Sequence, residues 1–318
     1  MNSRYVWMNG ALLPAERATL PFLTSALHYG SAVFEGIRAY RSERGPAVFR
    51  LREHAERLLD SARIFGLPEL RWSVADVSDA IVLTVQANGF DECYIRPVVY
   101  VSGGGWNLSN VGVETTLAVG VWEWTTFFGT EVKEKGVRAN VSSFTRHHPN
   151  VMMTKAKISG NYANSILAKT ESQRLGFDEA IMLDPSGFVA ECTGENLFVV
   201  RADEILTPAS ATVLEGLTRD ALITIARDLG YTVREAPISR DQLYRADEVF
   251  VCGTAAEVVA LREIDFRPIG AGRMGPVTAA LQRAFEAAVH GREPRYESWL
   301  TRVKRNGAAE AARPAASS

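Results

Sequence analysis

Residues 155–162 read Lys155-Ala156-Lys157-Ile158-Ser159-Gly160-Asn161-Tyr162. Two lysines stand among small and apolar residues, just ahead of a stretch near 161–174 with the composition of a helix. The setting matters because only lysine, among the basic side chains, carries an amine that can act as a nucleophile. The chain has 35 basic residues, and six of them are lysines: Lys133, Lys135, Lys155, Lys157, Lys169 and Lys304. Arginine therefore supplies most of the positive charge, and a lysine in apolar surroundings points to chemistry. Lys133, Lys135 and Lys304 read as surface residues. Strand spacing would put Lys155 and Lys157 on one side, so the residues alone do not choose between them.

The 318 residues are 47% hydrophobic and 23% charged, ordinary globular composition that excludes a disordered or fibrous chain. The length suggests two domains or one large one. A net charge of -2 argues against a dedicated nucleic-acid binder. No apolar run reaches the length of a bilayer span, and no basic-then-apolar segment opens the chain. Cys93, Cys192 and Cys252 lie far apart, which fits reduced thiols in the cytoplasm better than disulfides or zinc.

Working outward, Asn9-Gly10 between apolar runs marks a hairpin. Helical spacing covers 52–65, through Ala55, Leu58, Leu59, Ala62 and Phe65, and a second helix runs from Ser73 to Asn88-Gly89. Strands are expected at 93–101, 117–122, 137–142, 179–183, 188–190, 196–200 and 247–252. Helices are expected at 161–174 and 218–229, after Ser239 with its Gln242 capping box, and from Pro276 to Gly291. The aromatic segment Trp122-Glu123-Trp124-Thr125-Thr126-Phe127-Phe128-Gly129 reads as the join between a smaller and a larger unit.

Several motifs invite chemistry. Gly270-Ala271-Gly272-Arg273-Met274-Gly275 has dinucleotide-site spacing, but no second parallel strand follows it, so it reads as a glycine-rich turn. His147-His148-Pro149 reads as structural. On the strand at 93–101, Tyr94 and Arg96 point to one face, where phenol and guanidinium together can hold a carboxylate. Glu191, Glu195 and Asn196 cluster after a short strand, where carboxylates can balance a cationic ring or cap a turn. Leu217-Thr218 opens a helix and Thr254 follows a strand; both are natural phosphate seats.

In combination these motifs resemble the fold-type IV aminotransferases that use pyridoxal phosphate, and most closely the branched-chain amino acid aminotransferases. The resemblance runs from about Trp7 to about Arg283. It rests on His28-Tyr29-Gly30, Phe34-Glu35-Gly36-Ile37-Arg38, Tyr94-Ile95-Arg96-Pro97, Lys157 with Gly160-Asn161-Tyr162, Glu191 with Gly194-Glu195-Asn196-Leu197-Phe198, Gly216-Leu217-Thr218-Arg219, and Gly253-Thr254-Ala255-Ala256-Glu257. It implies an α+β fold: a small N-terminal α/β domain (1–122), an interdomain segment (123–129), a larger pseudo-barrel α/β domain that binds the cofactor (130–306), and a frayed tail (307–318).

The resemblance also implies roles. Lys157 is the Schiff-base lysine, and pyridoxal 5'-phosphate is the cofactor. Arg57, Leu217, Thr218 and Thr254 hold its phosphate; Glu191 faces the pyridine nitrogen and Tyr162 the ring hydroxyl. Glu195, Asn196 and Leu214 complete the cofactor set. Tyr94, Thr254 and Ala255 take the substrate α-carboxylate. Phe34 and Tyr29 line the side-chain pocket, Tyr29 from a neighbouring subunit; Arg38, Trp106 and Phe127 complete the substrate-binding set, and Arg96 reads the distal carboxylate of glutamate. Phe127 stands where many bacterial members carry tyrosine, and Trp106 makes the loop bulkier than the family's methionine-glycine. The activity implied is transamination between L-leucine, L-isoleucine or L-valine and 2-oxoglutarate. An (R)-amine or D-amino acid transaminase and aminodeoxychorismate lyase are the alternatives on the same fold. The assembly implied is at least a homodimer, with a hexamer compatible, cytoplasmic, and with no nucleic-acid or membrane partner.

Overall fold

In the computed structural model, which describes residues 2–104, 108–124, 135–202, 204–209 and 212–304, Asn9 and Gly10 take positive φ. They turn β1 (Tyr5–Met8) back into β2 (Ala11–Pro14), as the Asn-Gly pair predicts. The helix α1 (Ser25–Tyr29) follows, then three short strands, β3 (Ala32–Phe34), β4 (Ile37–Tyr40) and β5 (Ala47–Phe49). Next come α2 (Leu51–Ile64) and α3 (Val74–Asn88), then the long pair β6 (Cys93–Gly103) and β7 (Glu114–Glu123). The start of α3 is fixed by a reciprocal capping box between Ser73 and Asp76.

The chain divides into two units, and the first takes residues 2–124, 156–160 and 288–304 of those described. Its sheet runs from a C-terminal strand, Leu300–Arg302, through β5, β4, β6, β7 and β1 to β2, with β3 added on β6. The pairing is antiparallel throughout. Leu58, Ile81, Ile95, Val119 and Ile37 are wholly buried in the core that α2 and α3 share with it. Each such side chain contributes about 1.5–3 kcal/mol relative to an exposed one.

The second unit takes residues 135–155 and 161–287 of those described. Its nine strands are β8 (Val137–Val141), β9 (Glu179–Leu183), β10 (Val189–Cys192), β11 (Asn196–Arg201), β12 (Glu204–Thr207), β13 (Thr232–Glu235), β14 (Glu248–Gly253), β15 (Glu257–Ile264) and β16 (Arg267–Pro268). They lie in the order β10-β9-β8-β15-β14-β11-β12-β13, with β16 on β15. The sheet is mixed: β8 runs parallel to β9 and β15, and β12 parallel to β13. Helices Tyr162–Arg174, Leu217–Asp228 and Arg240–Tyr244, with all but the last two residues of Pro276–Val289, complete the unit.

Three differences from the sequence expectations have physical causes. The strands of 32–49 are only three or four residues long, too short to show a period. Residues 155–157 form no strand; a turn leads into a lone bridge between Ile158 and Val33. Lys155 and Lys157 therefore share no strand face. A linear division at residue 130 would also give 156–160 and 288–304 to the second unit. They lie with the first, held by the Ile158–Val33 bridge and by the pairing of Leu300–Arg302 with β5. Among the described residues no helix is long and apolar enough to cross a membrane.

Candidate active site

In the first unit, α2 carries His54, Arg57 and Ser61 along one face at helical spacing. Ser61 is wholly buried, and its Oγ accepts the Lys157 backbone N–H at 3.0 Å. The Lys157 carbonyl accepts the Phe34 N–H at 3.0 Å. The Lys157 backbone is thus pinned from a helix on one side and a strand on the other. Gly30 has φ 66°, and a Cβ there would stand 2.9 Å from Gly160 Cα, so only glycine lets the two segments meet.

Lys157 Nζ lies 5.1 Å from the Phe34 ring centre, and Arg96 Cζ lies 4.6 Å from the same ring. Tyr94 stacks on Trp122 at 4.9 Å and leans on Trp124 at 5.1 Å. Arg96 Nη2 donates to the Tyr94 hydroxyl at 3.3 Å, while its buried Nε has no hydrogen-bond partner among the described residues. A guanidinium walled by aromatic faces, with a donor still to satisfy, is suited to take a carboxylate. Arg38 sits across the β4–β6 ladder from Tyr94. It is 2% exposed, ion-paired with Glu92 and stacked over Tyr40. Tyr29, the last residue of α1, is exposed.

Arg57 forms a two-pronged pair with the buried carboxylate of Glu35, Nε to Oε1 at 2.6 Å and Nη2 to Oε2 at 2.8 Å. His54 Nδ1 lies 2.8 Å from Glu35 Oε2. Burial alone would raise the Glu35 carboxyl, but Arg57 and His54 outweigh it and hold it well below the usual carboxylate range. Burial lowers His54 from its ordinary value. The imidazole is then neutral, with its Nδ1–H given to the carboxylate.

In the second unit, Glu191 is buried and meets Arg146 Nη2 at 2.7 Å. Its Oε2 accepts from the Leu214 N–H at 3.2 Å and from Asn196 Nδ2 at 3.4 Å. Asn196 Nδ2 also donates to the Leu214 carbonyl at 3.0 Å, and a Cβ on Gly216 would fall 2.0 Å from Asn196 Oδ1. Asn196 therefore clamps the segment that leads into helix Leu217–Asp228. Among the described residues no side chain caps that helix, and Thr218 is buried in its first turn. Thr254 and Ala255 form the turn between β14 and β15, and Tyr162 opens its helix. Lys155 Nζ is engaged by the Val213 carbonyl at 3.1 Å and by Glu215 at 3.3 Å. Burial and the nearby Glu179 push Glu195 up to about 8, and its Oε2 accepts the Gly194 N–H at 3.1 Å.

The glycine-rich turn at 270–275 leads into a helix start that is already filled. Glu248 accepts the N–H groups of Val277 and Thr278 at 2.9 and 2.8 Å, and a Cβ on Gly275 would lie 2.1 Å from its Cδ. Trp106 and Phe127 lie outside the described residues. Sequence reasoning gave no role to Glu35, His54, Ser61 or Arg146. The available signal was on α2, where two polar residues, His54 and Ser61, interrupt a face read as core.

The donor sets fit a flat heteroaromatic ring that carries a phosphate. A helix start with a buried threonine hydroxyl and no side-chain cap among the described residues suits a dianion. A buried carboxylate fixed by an arginine and an asparagine suits a protonated ring nitrogen. The family model Amino-transferase class IV matches residues 32–264, and the chain belongs to that family. A cofactor of the pyridoxal-phosphate type goes with it.

Within the family, relatives point one way. The branched-chain-amino-acid aminotransferase of Pseudomonas aeruginosa is 43% identical over 299 residues, which cover 94% of this chain and 97% of that protein. The Escherichia coli protein of the same name is 42% identical over 301 residues, with 94% and 97% covered. Among solved structures, the Escherichia coli branched-chain amino acid aminotransferase superposes with a TM-score of 0.92 at 41% identity, covering 95% of this chain and all 100% of that one. Another branched-chain amino acid aminotransferase, solved with pyridoxamine 5'-phosphate, superposes with a TM-score of 0.93 at 46% identity, covering 96% and 100%.

Proposed function

We propose that the protein transfers the amino group of L-leucine, L-isoleucine and L-valine to 2-oxoglutarate, giving branched-chain 2-oxo acids and glutamate, with pyridoxal 5'-phosphate as the amino carrier. The observation that carries this reading is the setting of Lys157, whose backbone is fixed by Ser61 and Phe34 while its amine stands over an aromatic ring beside Arg96. Lys155, the other lysine of the segment, is bound to the Val213 carbonyl and Glu215.

When bound, the cofactor supplies an electron sink for the carbon that loses its proton. Lys157 Nζ would hold the cofactor and, when free of it, would be the base that moves the substrate α-proton. Glu191, backed by Arg146 and Asn196, keeps a proton on the ring nitrogen. Tyr162 binds the ring hydroxyl. Arg57, the Leu217 and Thr218 amides, and the hydroxyls of Thr218 and Thr254 bind the phosphate. Tyr94, Thr254 and Ala255 orient the substrate by its α-carboxylate.

The pocket must accept both aliphatic side chains and the glutamate carboxylate. Arg96 resolves that conflict: it pairs with the distal carboxylate, and beside leucine its charge rests on the faces of Phe34, Tyr94 and Trp122. Arg38, across the β4–β6 ladder from Tyr94, belongs to the substrate-binding set.

The working form is at least a homodimer, in which Tyr29 reaches the neighbouring subunit's pocket. Leu20, Phe22, Leu23, Leu27 and Tyr29 are between 48% and 74% exposed, an apolar face suited to a second copy. Three buried free thiols suit a cytoplasmic enzyme, with burial pushing Cys93 up to about 12.

The test is the visible spectrum of the purified protein before and after L-leucine. A yellow lysine-bound band that L-leucine bleaches supports the reading. A faster response to D-alanine or (R)-1-phenylethylamine would sink the branched-chain assignment. A folded Lys157→Ala variant should lose the yellow band and at least ~10⁴-fold in turnover.

A further inference from the structure

Behind the phosphate-binding arginine lies a charged group that neither grips substrate nor packs the core. Glu35 is 0% exposed, in the bend between β3 and β4. A carboxylate so placed is costly unless its lone pairs are filled. They are filled from three sides: both prongs of Arg57 at 2.6 and 2.8 Å, His54 Nδ1 at 2.8 Å, and the Gly36 N–H at 3.3 Å. Two of the three partners sit on α2, one turn apart.

The geometry points to Glu35, held in turn by His54, as the positioning residue that aims Arg57 at the cofactor phosphate. This rests on the reading of Arg57 given above. Arg57 binds Glu35 through its Nε–Nη2 edge. A planar guanidinium gripped on that edge cannot rotate, and its Nη1 side is fixed in the opposite direction. An arginine with free torsions would lose side-chain entropy each time it closed on a phosphate. Here that loss is already made on folding. His54 takes up a further lone pair of Oε2 and has no net charge of its own to compete with Arg57 for the carboxylate.

The consequence is selective. If Glu35 acts through Arg57, its loss weakens the grip on phosphate and leaves the lysine–aldehyde linkage alone. Pyridoxal 5'-phosphate and pyridoxal, which lacks the phosphate, separate the two. Binding of each is read from the absorbance of the lysine-bound form, for the wild-type full chain and for Glu35→Gln, Glu35→Asp, His54→Gln and Arg57→Ala. Pyridoxal's internal hemiacetal lowers its apparent affinity equally in all variants.

We expect Glu35→Gln to lose about 10- to 100-fold in pyridoxal 5'-phosphate affinity with less than about threefold change for pyridoxal, following Arg57→Ala. His54→Gln should shift in the same direction by less. Glu35→Asp keeps the charge but draws the fork back by one methylene, so it should also be phosphate-selective. It serves as the test should the glutamine variant fail to fold. Equal weakening of both ligands by the Glu35 variants would make the group merely structural and overturn the inference. So would unchanged affinity for both while Arg57→Ala is selective. If Arg57→Ala itself showed no phosphate selectivity, the reading of Arg57 would fall and the inference with it.

Discussion

A Cβ on Gly36 would stand 2.1 Å from the Tyr94 hydroxyl, and Tyr94 cannot swing away because Trp122 and Trp124 lie against its ring. Gly36→Ala should therefore displace the phenol proposed to hold the α-carboxylate. We expect kcat/KM to fall about 10- to 100-fold with the lysine-bound band intact, checked by steady-state kinetics beside the spectrum. Glu195 makes a different prediction. Its folded value is raised from 4.5 to about 8, so between those limits the folded chain holds a proton that the unfolded chain releases. The stability it contributes is fully present below pH 4.5 and declines as pH rises towards 8, by up to ~1.4 kcal/mol per unit. Glu195→Gln copies the protonated acid and should flatten that decline in thermal melts from pH 5 to 8. Neither effect was legible in sequence. Gly36 and Glu195 stand there as motif letters, whereas their consequences come from Tyr94 and Glu179, distant in the chain.

At the scale of elements, α2 is a core helix that also carries Arg57 and Ser61, proposed to serve the site. Its apolar stripe, Ala55, Leu58 and Ala62, was readable from spacing, as were the Ser73 start of α3 and the Asn9-Gly10 turn. Local signals of this kind are complete within a few residues. What α2 presents alongside that stripe was not readable, because the partners of Ser61 and Arg57 are Lys157 and Glu35. Ser61→Ala removes the acceptor from the Lys157 amide. It should cost about 1 kcal/mol in stability and lower kcat more than it raises KM, measured by denaturant melts and single-turnover kinetics. Glu248→Ala strips the start of helix Pro276–Val289 of its acceptor. A loss of about 1–3 kcal/mol is expected there, with KM for leucine unchanged. The pair separates elements that serve the amine from elements that serve only the fold. The strands of 257–264 and 32–49 went unread for a related reason: they are defined by their neighbours β14, β8 and β6 more than by their own pattern.

For the whole molecule, the exposed run from Leu20 to Tyr29 carries the prediction. Replacing Phe22 and Leu23, 74% and 65% exposed, by aspartate should split the proposed dimer in sedimentation velocity and lower activity at dilute enzyme. A dimer that survives both changes would move the interface elsewhere and remove Tyr29 from the pocket. The chemistry of the family was legible as a set of motifs in order. The division of the chain was not, because hydrophobic pattern says which residues are buried and not which unit buries them.

That division has a consequence for synthesis. A ribosome delivers residues in order, and chains generally begin to fold from the end that emerges first. Here the first unit cannot be finished first. Its edge strand, Leu300–Arg302, is among the last described residues to be made, and the five residues around Lys157 arrive only after part of the second unit has been translated. A nascent chain interrupted at residue 124 would have β5 without its outer partner and Val33 without Ile158. The segment that carries Lys157 therefore joins a first unit whose outer strand is still to be made.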